Sequence, residues 1–250
     1  MRPIVTLLTD FGTADGYVAE MKGVLLTSVP DATVVDVTHD VPSQDVEAGR
    51  LAVARYWRRF PPGTVHIAVV DPGVGSSRAA LAVASDGRFL VGPDNGLLSP
   101  ALLAQGARVV ALPVPPHAAP TFHGRDVFAP AAALLLQGVP LDSLGMPHDT
   151  PVVRRTAEAH RLADGTVAGQ VITIDRFGNA ITNLVTRGAA EVSVGGYTLA
   201  VRRSYADVEP GAVVALTGSN GLVEIAVRDG SAAQRLGLAR GAPVLLRALR

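Results

Sequence analysis

The sequence predicts an α/β fold: an N-terminal domain built on a mostly parallel sheet, followed by a smaller all-β domain. In the first half, short apolar runs alternate with stretches of helical periodicity, a pattern typical of a parallel sheet with helices on its faces. From about residue 163, short apolar runs follow one another with turns between them. A charged, loop-like stretch at 148–163 separates the two patterns, so we expect domains at 1–150 and 163–250.

The first half begins with three predicted strands that alternate with two predicted helices. Apolar or β-branched runs indicate strands at 3–8, 33–38 and 64–70. Apolar residues recurring every three or four positions indicate helices at 17–25 and 44–59. The further elements predicted for this half are strands at 79–84, 88–92 and 108–112 and helices at 97–104 and 126–137.

The second half is predicted to consist of short strands with one helix, at 230–237. The predicted strands lie at 167–174, 180–185, 191–200, 212–217, 222–227 and 243–248. Closely spaced short strands of this kind are typical of a small barrel or a sandwich. The strand pattern alone leaves both architectures open.

The composition of the 250-residue chain excludes several classes of protein. The 22 basic and 22 acidic side chains cancel, which argues against a nucleic-acid binder, since such proteins need a basic surface. The absence of cysteine excludes disulfides, thiolate metal sites and thiol nucleophiles. No apolar run approaches the ~18 residues of a membrane span, and we expect a soluble cytoplasmic protein.

Three polar loops follow the first three predicted strands, at 9–12, 38–40 and 71–75. In an open parallel sheet the carboxyl ends of the strands share one edge, where ligands bind. Each Asp in these loops could also be an ordinary helix cap or turn residue. Because three successive strands end in acidic loops, we expect a functional site at this edge.

The familiar catalytic and nucleotide-binding motifs are absent. The segment 73–78 lacks the third glycine of a dinucleotide fingerprint, and neither a phosphate loop nor a Gly-x-Ser-x-Gly elbow occurs. His39, Asp40, Asp71 and His123 include metal-ligand types, but no pair has the i, i+4 helical spacing. We therefore predict no metal site.

Two histidines receive different interpretations. His66 lies within an apolar strand and is predicted to be packed rather than catalytic. His123 lies between a Pro-rich loop and a helix start, in Thr-Phe-His-Gly-Arg-Asp. It is either a candidate functional residue or an unpaired loop histidine.

Six long motifs, in this order, resemble one known family. They are TDFGTADGYVAEMKGV at 9–24, DVTHDV at 36–41, FPPGTVHIAVVDPGVG at 60–75, GPDNGLL at 92–98, TFHGRDVFAPAAA at 121–133 and IDRFGNAITN at 174–183. The chain resembles the S-adenosylmethionine hydroxide adenosyltransferases, also called adenosine-forming S-adenosyl-L-methionine hydrolases, which are related to the fluorinase and the chlorinase. The resemblance extends from about residue 4 to residue 248.

The resemblance implies an architecture and an assembly. It implies an N-terminal three-layer α/β domain and a C-terminal β-barrel. It also implies a homotrimer, in which the N-terminal domain of one subunit and the C-terminal domain of its neighbour form the active site. The resemblance further implies that the binding partner of the protein is a small-molecule substrate, with no cofactor, nucleic acid or membrane.

The resemblance implies hydrolysis of S-adenosylmethionine to adenosine and methionine, with Asp71, Arg78 and His123 as the catalytic trio. Water would displace neutral methionine from C5′ of the ribose by an in-line substitution. The sulfonium is already a good leaving group, so the weak partner is the nucleophile. A carboxylate and an imidazole can position water and take its proton, and Arg78 can stabilise the developing negative charge. Either Asp71 or His123 could take the proton.

The family motifs also imply substrate-binding residues. Asp10 would accept the ribose hydroxyls, Asp175 would pair with the methionine ammonium, and Ser219 would bind the methionine carboxylate. Asn179 would read the adenine edge, with Phe177 and Tyr205 packed on its ring. In the halogenating relatives an Arg follows the Ser, where this chain has Asn220.

Two alternative functions remain open beside hydrolysis: halogenation, and binding without turnover. Differences from the halogenases favour hydrolysis. The fluorinase has Tyr in place of Asp71 and Ser in place of Gly124, and the residue matching His123 is not His. The insertion that the halogenases carry after the third strand is also missing from this chain.

Overall fold

The computed structural model describes residues 2–249 and divides the chain into two compact units, Met1–Arg155 and Thr156–Arg250. Each unit has its own hydrophobic core. None of the helices within residues 2–249 is long and apolar enough to cross a membrane.

Within residues 2–155, the first unit contains seven strands and four α-helices. The strands are β1 Ile4–Thr9, β2 Thr33–Thr38, β3 Val65–Val69, β4 Ala80–Ser85, β5 Arg88–Pro93, β6 Arg108–Leu112 and β7 Met146–Pro147. The helices are α1 Tyr17–Ser28, α2 Val46–Tyr56, α3 Ser99–Leu102 and α4 Ala129–Leu136, with 3₁₀ turns at Trp57–Arg59 and Leu141–Ser143 and one π-helical turn at Gly124–Phe128.

The seven strands form one sheet in the order β2-β1-β3-β5-β4-β6-β7. Strand β1 pairs in parallel with β2 and β3, and β3 pairs in parallel with β5. Strand β4 runs antiparallel to both of its neighbours, and β7 runs antiparallel to β6. The predicted mostly parallel sheet is confirmed, and the carboxyl ends of β1, β2 and β3 share one edge.

Both faces of the sheet are covered, which gives this unit three layers. Leu7 and Leu8 are both fully buried although adjacent strand residues point to opposite faces. Leu7 belongs to a cluster with residues of α1 and α4, such as Met21, and Leu8 belongs to a second cluster with residues of α2, such as Val53. Because both faces are covered, strands β1, β3 and β4 are buried along nearly their whole length rather than at alternate positions.

As described over residues 156–249, the second unit is a closed barrel with one short α-helix, α5 Ala232–Leu236. Its strands are β8 His160–Arg161, β9 Val167–Ile174, β10 Ala180–Thr182, β11 Ala190–Val194, β12 Tyr197–Arg202, β13 Val213–Thr217, β14 Val223–Val227 and β15 Pro243–Ala248, and a 3₁₀ turn lies at Tyr205–Asp207. The sheet order β10-β14-β13-β12-β11-β15-β9 closes through a β9–β10 pairing, and β8 pairs with β9 outside the closed ring. The strands therefore form a barrel rather than a sandwich.

Three predicted elements differ from the structure. The single strand predicted at 191–200 is a hairpin of β11 and β12, because Gly195 and Gly196 both adopt positive φ, at 55° and 81°, as a two-residue turn requires. The helix predicted at 97–104 is reduced to the short α3. The helix predicted at 126–137 begins instead as the π-helical turn that leads into α4.

His66 is confirmed as a packed histidine. It is fully buried in β3, and a hydrogen bond of 2.8 Å joins its Nδ1 to Thr6 Oγ1. The rings of Tyr56 and Phe60 meet its imidazole edge to face, with centroid distances of 5.4 and 5.6 Å. Burial, with a smaller contribution from the charge of Arg88, lowers the pKa of His66 to about 4.

We expect His66 to make the fold sensitive to mild acid. Its pKa is about 4 in the folded chain and 6.5 when unfolded, so the unfolded state binds the proton more readily. Its contribution to stability is complete above pH 6.5 and is lost as the pH falls toward 4. The H66Q variant should lose a pH-dependent component of about 3 kcal/mol in the free energy of unfolding over this interval, as urea denaturation would measure.

The matched control is H160Q, which changes an exposed histidine in the second unit. Its unfolding free energy should retain the pH dependence of the wild type. An unchanged slope in H66Q would show that the imidazole of His66 is not the responsible group.

Candidate active site

The loops after β1 and β2 are joined by hydrogen bonds at the predicted edge of the sheet. Gly12 N donates to His39 O (2.8 Å), and Gln44 N donates to the Asp10 carboxylate (2.7 Å). Gln44 adopts a positive φ of 64°, which is uncommon for a residue other than glycine and fits a backbone held in place by its contacts. The half-buried Asp10 is thus fixed at the edge by the loop that leads into α2.

Asp71 and Arg78 form a buried ion pair at the end of β3. Arg78 Nε donates to Asp71 Oδ1 at 3.0 Å, and Nη2 donates to Oδ2, so the contact is bidentate. The side chains are only 4% and 9% exposed. The guanidinium also lies 5.5 Å from the ring centroid of Phe128, which covers it from the core side.

His123 completes the trio. Arg78 Nη2 donates to His123 Nδ1 at 2.9 Å, and His123 is 5% exposed. A guanidinium has no acceptor, so Nδ1 must accept and the proton of the neutral imidazole lies on Nε2. Burial and then the charge of Arg78 lower the pKa of His123, against smaller opposing contributions from Asp71 and Asp126.

The position of His123 follows from tight packing at the start of the π-helical turn. A Cβ added to Gly124 would lie 3.1 Å from Met21 Sδ and within 3.4 Å of the rings of Phe122 and Phe11. Glycine at this position lets the backbone approach the aromatic cluster closely, which sets His123 against Arg78.

A second set of predicted residues meets in the barrel unit. Phe177, Asn179 and Tyr205 line one cavity of about 640 Å³. The Phe177 side chain is 75% exposed, whereas Asn179 is buried. The loop is shaped by Asp175, whose Oδ1 accepts from the backbone N–H groups of Phe177 and Asn179 at 2.9 Å. Asp175 Oδ2 accepts from Asn179 Nδ2 at 3.1 Å.

Glu224 is a residue of this region that the sequence analysis missed. The Tyr205 hydroxyl donates to Glu224 Oε1, and Glu224 is 6% exposed on β14. Burial, and then the hydrogen bond to this carboxylate, raise the pKa of Tyr205 to about 12. A single acidic residue within the otherwise apolar run Val-Glu-Ile-Ala-Val was the available signal.

The two remaining predicted residues are Asp10 and Ser219. The Asp10 carboxylate accepts from Gln44 rather than from a member of the trio. Ser219 is exposed in the turn at 218–221 and does not line the cavity that Phe177 lines.

His39, another residue of metal-ligand type, contacts residues outside the trio. His39 Nδ1 shares a 2.9 Å hydrogen bond with Thr9 Oγ1, and its Nε2 lies 3.1 Å from Asp36 Oδ1. Within residues 2–249, no three His, Asp or Glu side chains are grouped as metal ligands.

The fold and the two groups of residues define a class of protein: an α/β unit with a buried Asp–Arg–His trio, followed by a β-barrel unit with an aromatic-walled cavity. Two family models match these parts of the chain. The N-terminal domain of the SAM hydroxide adenosyltransferases matches residues 5–145, and their C-terminal domain matches residues 169–245. The chain belongs to the SAM hydroxide adenosyltransferase family.

The names of curated relatives are consistent with membership of this family. An (R)-S-adenosyl-L-methionine hydrolase of Thermus thermophilus is 45% identical, over 98% of this chain and 100% of the relative. One of the same name from Salinispora arenicola is 40% identical, over 96% and 95%. A fluorinase of Nocardia brasiliensis is 29% identical, over 97% and 96%.

Solved structures show the same fold. The crystal structure of a conserved protein from Thermotoga maritima superimposes with a TM-score of 0.88 at 31% identity, covering 97% of this chain and 99% of that one. The crystal structure of a conserved protein from Thermus thermophilus gives a TM-score of 0.84 at 43% identity, covering 98% and 100%.

We expect the pKa of His123 to depend on the charge of Arg78. The R78M variant removes the cation and leaves Asp71, which favours the protonated imidazole, so the pKa of His123 should rise. The R78K variant keeps a positive charge and should leave the pKa closer to that of the wild type. A ¹H–¹⁵N NMR titration of the imidazole, assigned with H123N, measures both.

The same spectra report the tautomer of His123. Wild-type ¹⁵N shifts should place the proton on Nε2. A proton on Nδ1, or a pKa that does not rise in R78M, would contradict the arrangement. The R58M variant, which changes a 55%-exposed arginine in another ion pair, serves as the control for a general charge effect.

Proposed function

We propose that this chain is an (R)-S-adenosyl-L-methionine hydrolase, which converts S-adenosyl-L-methionine and water to adenosine and L-methionine. The main observation in support of this proposal is the buried Asp71–Arg78–His123 trio in a chain of this family. The curated relatives at 45% and 40% identity bear the name of this activity.

The reaction is a substitution at C5′ of the ribose. The oxygen of water forms the new bond to C5′ as the C5′–S bond breaks, and the sulfur keeps the electron pair. Methionine leaves as a neutral thioether and needs no proton from a general acid. The proton of the attacking water must pass to a base, and no cofactor is needed to balance the reaction.

The hydrogen bonds of the trio favour Asp71 as that base. His123 Nδ1 already accepts from Arg78, and its Nε2 carries the ring proton, so the imidazole has no free acceptor. The Asp71 carboxylate retains lone pairs beyond the two that Arg78 occupies. We assign His123 Nε2–H to donate to the water oxygen and orient it, while Asp71 takes the proton.

Arg78 gives the base a fixed orientation. Its bidentate contact holds the plane of the Asp71 carboxylate, and its positive charge stabilises the hydroxide-like character that develops on the attacking oxygen. A lysine offers a single point charge and would hold neither the plane nor the His123 contact equally well.

The barrel residues supply the proposed adenine contacts. Phe177 and Tyr205 pack on the purine ring, and Tyr205 is held in place by Glu224. Asn179 uses one amide N–H on Asp175, which leaves its second N–H and its oxygen to read the adenine edge.

The remaining proposed contacts are polar. Asp175 accepts three hydrogen bonds within its own loop, and a carboxylate has about four acceptor positions, so one remains for the methionine ammonium. Asp10 accepts the ribose hydroxyls with the oxygen that Gln44 does not use. Ser219, exposed in its turn, binds the methionine carboxylate.

We also propose that the chain acts as a homotrimer whose sites are shared between subunits. The family resemblance supports this assembly.

The first test is turnover in ¹⁸O-labelled water. Adenosine should gain one ¹⁸O at its 5′-hydroxyl and methionine should gain none, as mass spectrometry would detect. The D71N variant removes the base and should lower kcat by about 10²–10⁴-fold. The control D86N changes an exposed aspartate that pairs with Arg58, and it should keep the wild-type rate.

Parallel reactions with chloride or fluoride separate the alternatives. A 5′-halo-adenosine formed only with halide would replace hydrolysis by halogenation. Binding of S-adenosylmethionine with no labelled adenosine would identify a binding protein instead.

The second test addresses the shared site. D71N removes the proposed base from the first unit. F177A removes an exposed ring from the barrel unit and should lower kcat/KM about tenfold or more. The two variants are unfolded together, refolded as a mixture and assayed below KM. If sites form between subunits, about a quarter of them combine an intact Asp71 with an intact Phe177, and activity should rise above the mean of the parents.

The matched control mixes D71N with Y197A. Tyr197 is 41% exposed on β12 and does not line the Phe177 cavity, so Y197A alone should be active and its mixture should show only dilution. A D71N and F177A mixture that equals the mean of its parents would place each site within one chain.

A further inference from the structure

We infer that Asn95 is a positioning residue for the Asp71–Arg78 pair, a role that rests on the proposed function. Asn95 lies in the turn at 93–96, Pro-Asp-Asn-Gly, which begins at the last residue of β5 and which we call the PDNG turn. The proposed mechanism assigns this turn no part in binding or chemistry.

The PDNG turn holds both ends of the loop that carries the pair. Asn95 Nδ2 donates to Val70 O at 2.8 Å, and Val70 directly precedes Asp71. Asp94 N donates to Ala79 O at 2.9 Å, and Ala79 directly follows Arg78. Two adjacent residues of one turn therefore fix the chain on either side of the segment 71–78.

The bond from Asn95 takes the place of a missing strand contact. The pairing of β3 with β5 ends at Ile67–Val91, so Val70 lies beyond the ladder. Val70 is fully buried, and a buried carbonyl without a partner costs about 1–3 kcal/mol. The Asn95 amide donates to the Val70 carbonyl. It therefore holds the backbone beyond the end of the strand pairing, up to Asp71.

The side chain of Asn95 is itself held in a defined orientation. Its Oδ1 accepts from Leu97 N at 3.1 Å, which leaves the amide nitrogen directed at Val70. Gly96 adopts a positive φ of 92°, a conformation that favours glycine and lets the chain turn sharply after Asn95.

The segment 148–155 holds the PDNG turn from its other side. Asp94 Oδ1 accepts from Val152 N at 2.7 Å, and Asp94 Oδ2 lies 3.1 Å from His148 Nε2. Arg154 Nε donates to Asn95 O at 2.8 Å. The turn is thus a fixed support for the loop rather than a mobile connection.

Loss of the support should affect chemistry more than binding. The adenine and methionine contacts proposed above lie outside the segment 71–78, so KM should change little. The water must be aligned with C5′ by Asp71 and His123, and a displacement of about 1 Å in such a group can cost about 10²-fold in rate. A positioning role therefore predicts a selective loss of kcat.

The test variant is N95D, which is nearly isosteric. It removes the amide donor to Val70 and keeps an oxygen for Leu97 N. We expect kcat for S-adenosylmethionine to fall about tenfold or more, with KM within about threefold of wild type. N95A removes the donor without adding a charge and should show the same split.

The matched control is S99A. Ser99 is fully buried beside the same turn, where its Oγ donates to Gly96 O at 2.6 Å and accepts from Arg154 N at 2.8 Å. S99A therefore removes buried hydrogen bonds of the turn without touching Val70 or Ala79, and its kcat should stay near wild type. Equal losses of kcat in S99A and N95A would overturn the inference in favour of general destabilisation.

A readout without substrate keeps this inference distinct from the proposed function. Hydrogen exchange measured by mass spectrometry should speed up across 70–79 in N95D and N95A, and S99A should spare that segment. If the wild type proves inactive, the proposed function fails, and exchange alone decides the positioning role. Unchanged exchange at 70–79 together with unchanged kcat in both Asn95 variants would overturn it.

Discussion

The buried ion pair between Asp71 and Arg78 is the contact on which the geometry of the proposed site depends. Removing two charges from water costs several kcal/mol per ion unless each is paired and hydrogen-bonded. The bidentate contact, the approach of His123 Nδ1 and the Phe128 ring together enclose both groups. A chain that buries such a pair must hold the flanking backbone firmly, and two adjacent residues of the PDNG turn do this.

The same contacts also determine which atoms of the trio donate hydrogen bonds and which accept them. Because Arg78 can only donate, His123 must present Nδ1 to it, which fixes the tautomer and leaves Nε2–H for the water of the proposed reaction. Burial and the nearby cation keep the imidazole neutral by lowering its pKa. The carboxylate is then the remaining acceptor for a proton. The division of roles proposed for Asp71 and His123 thus follows from one guanidinium and its geometry.

Much of the fold could be predicted from local pattern, because apolar runs and helical periodicity are set by the faces that must be buried. β2 and β6 have the bounds that the pattern gives, and the shared edge of β1, β2 and β3 follows from their parallel order. The hairpin of β11 and β12 was missed although the Gly195-Gly196 pair between two apolar runs is itself a signal for a two-residue turn. The barrel was distinguished from a sandwich by closure of the ring, which combines the β9–β10 hairpin with the long-range pairings β10–β14 and β9–β15 that no local pattern contains.

The sequence by itself determined the fold class, the polar loops at the strand ends and, through the family motifs, the residue types of the trio. Only the tertiary structure decided which atoms meet, because Arg78 and His123 are 45 positions apart in the chain and their 2.9 Å contact depends on the packing of the π-helical turn. It also assigned partners to Glu224 and Asn95, whose roles come from groups distant in sequence: the Tyr205 hydroxyl and the Val70 carbonyl. Motifs specify chemical groups, but the direction of each hydrogen bond is set by the backbone that carries its partner.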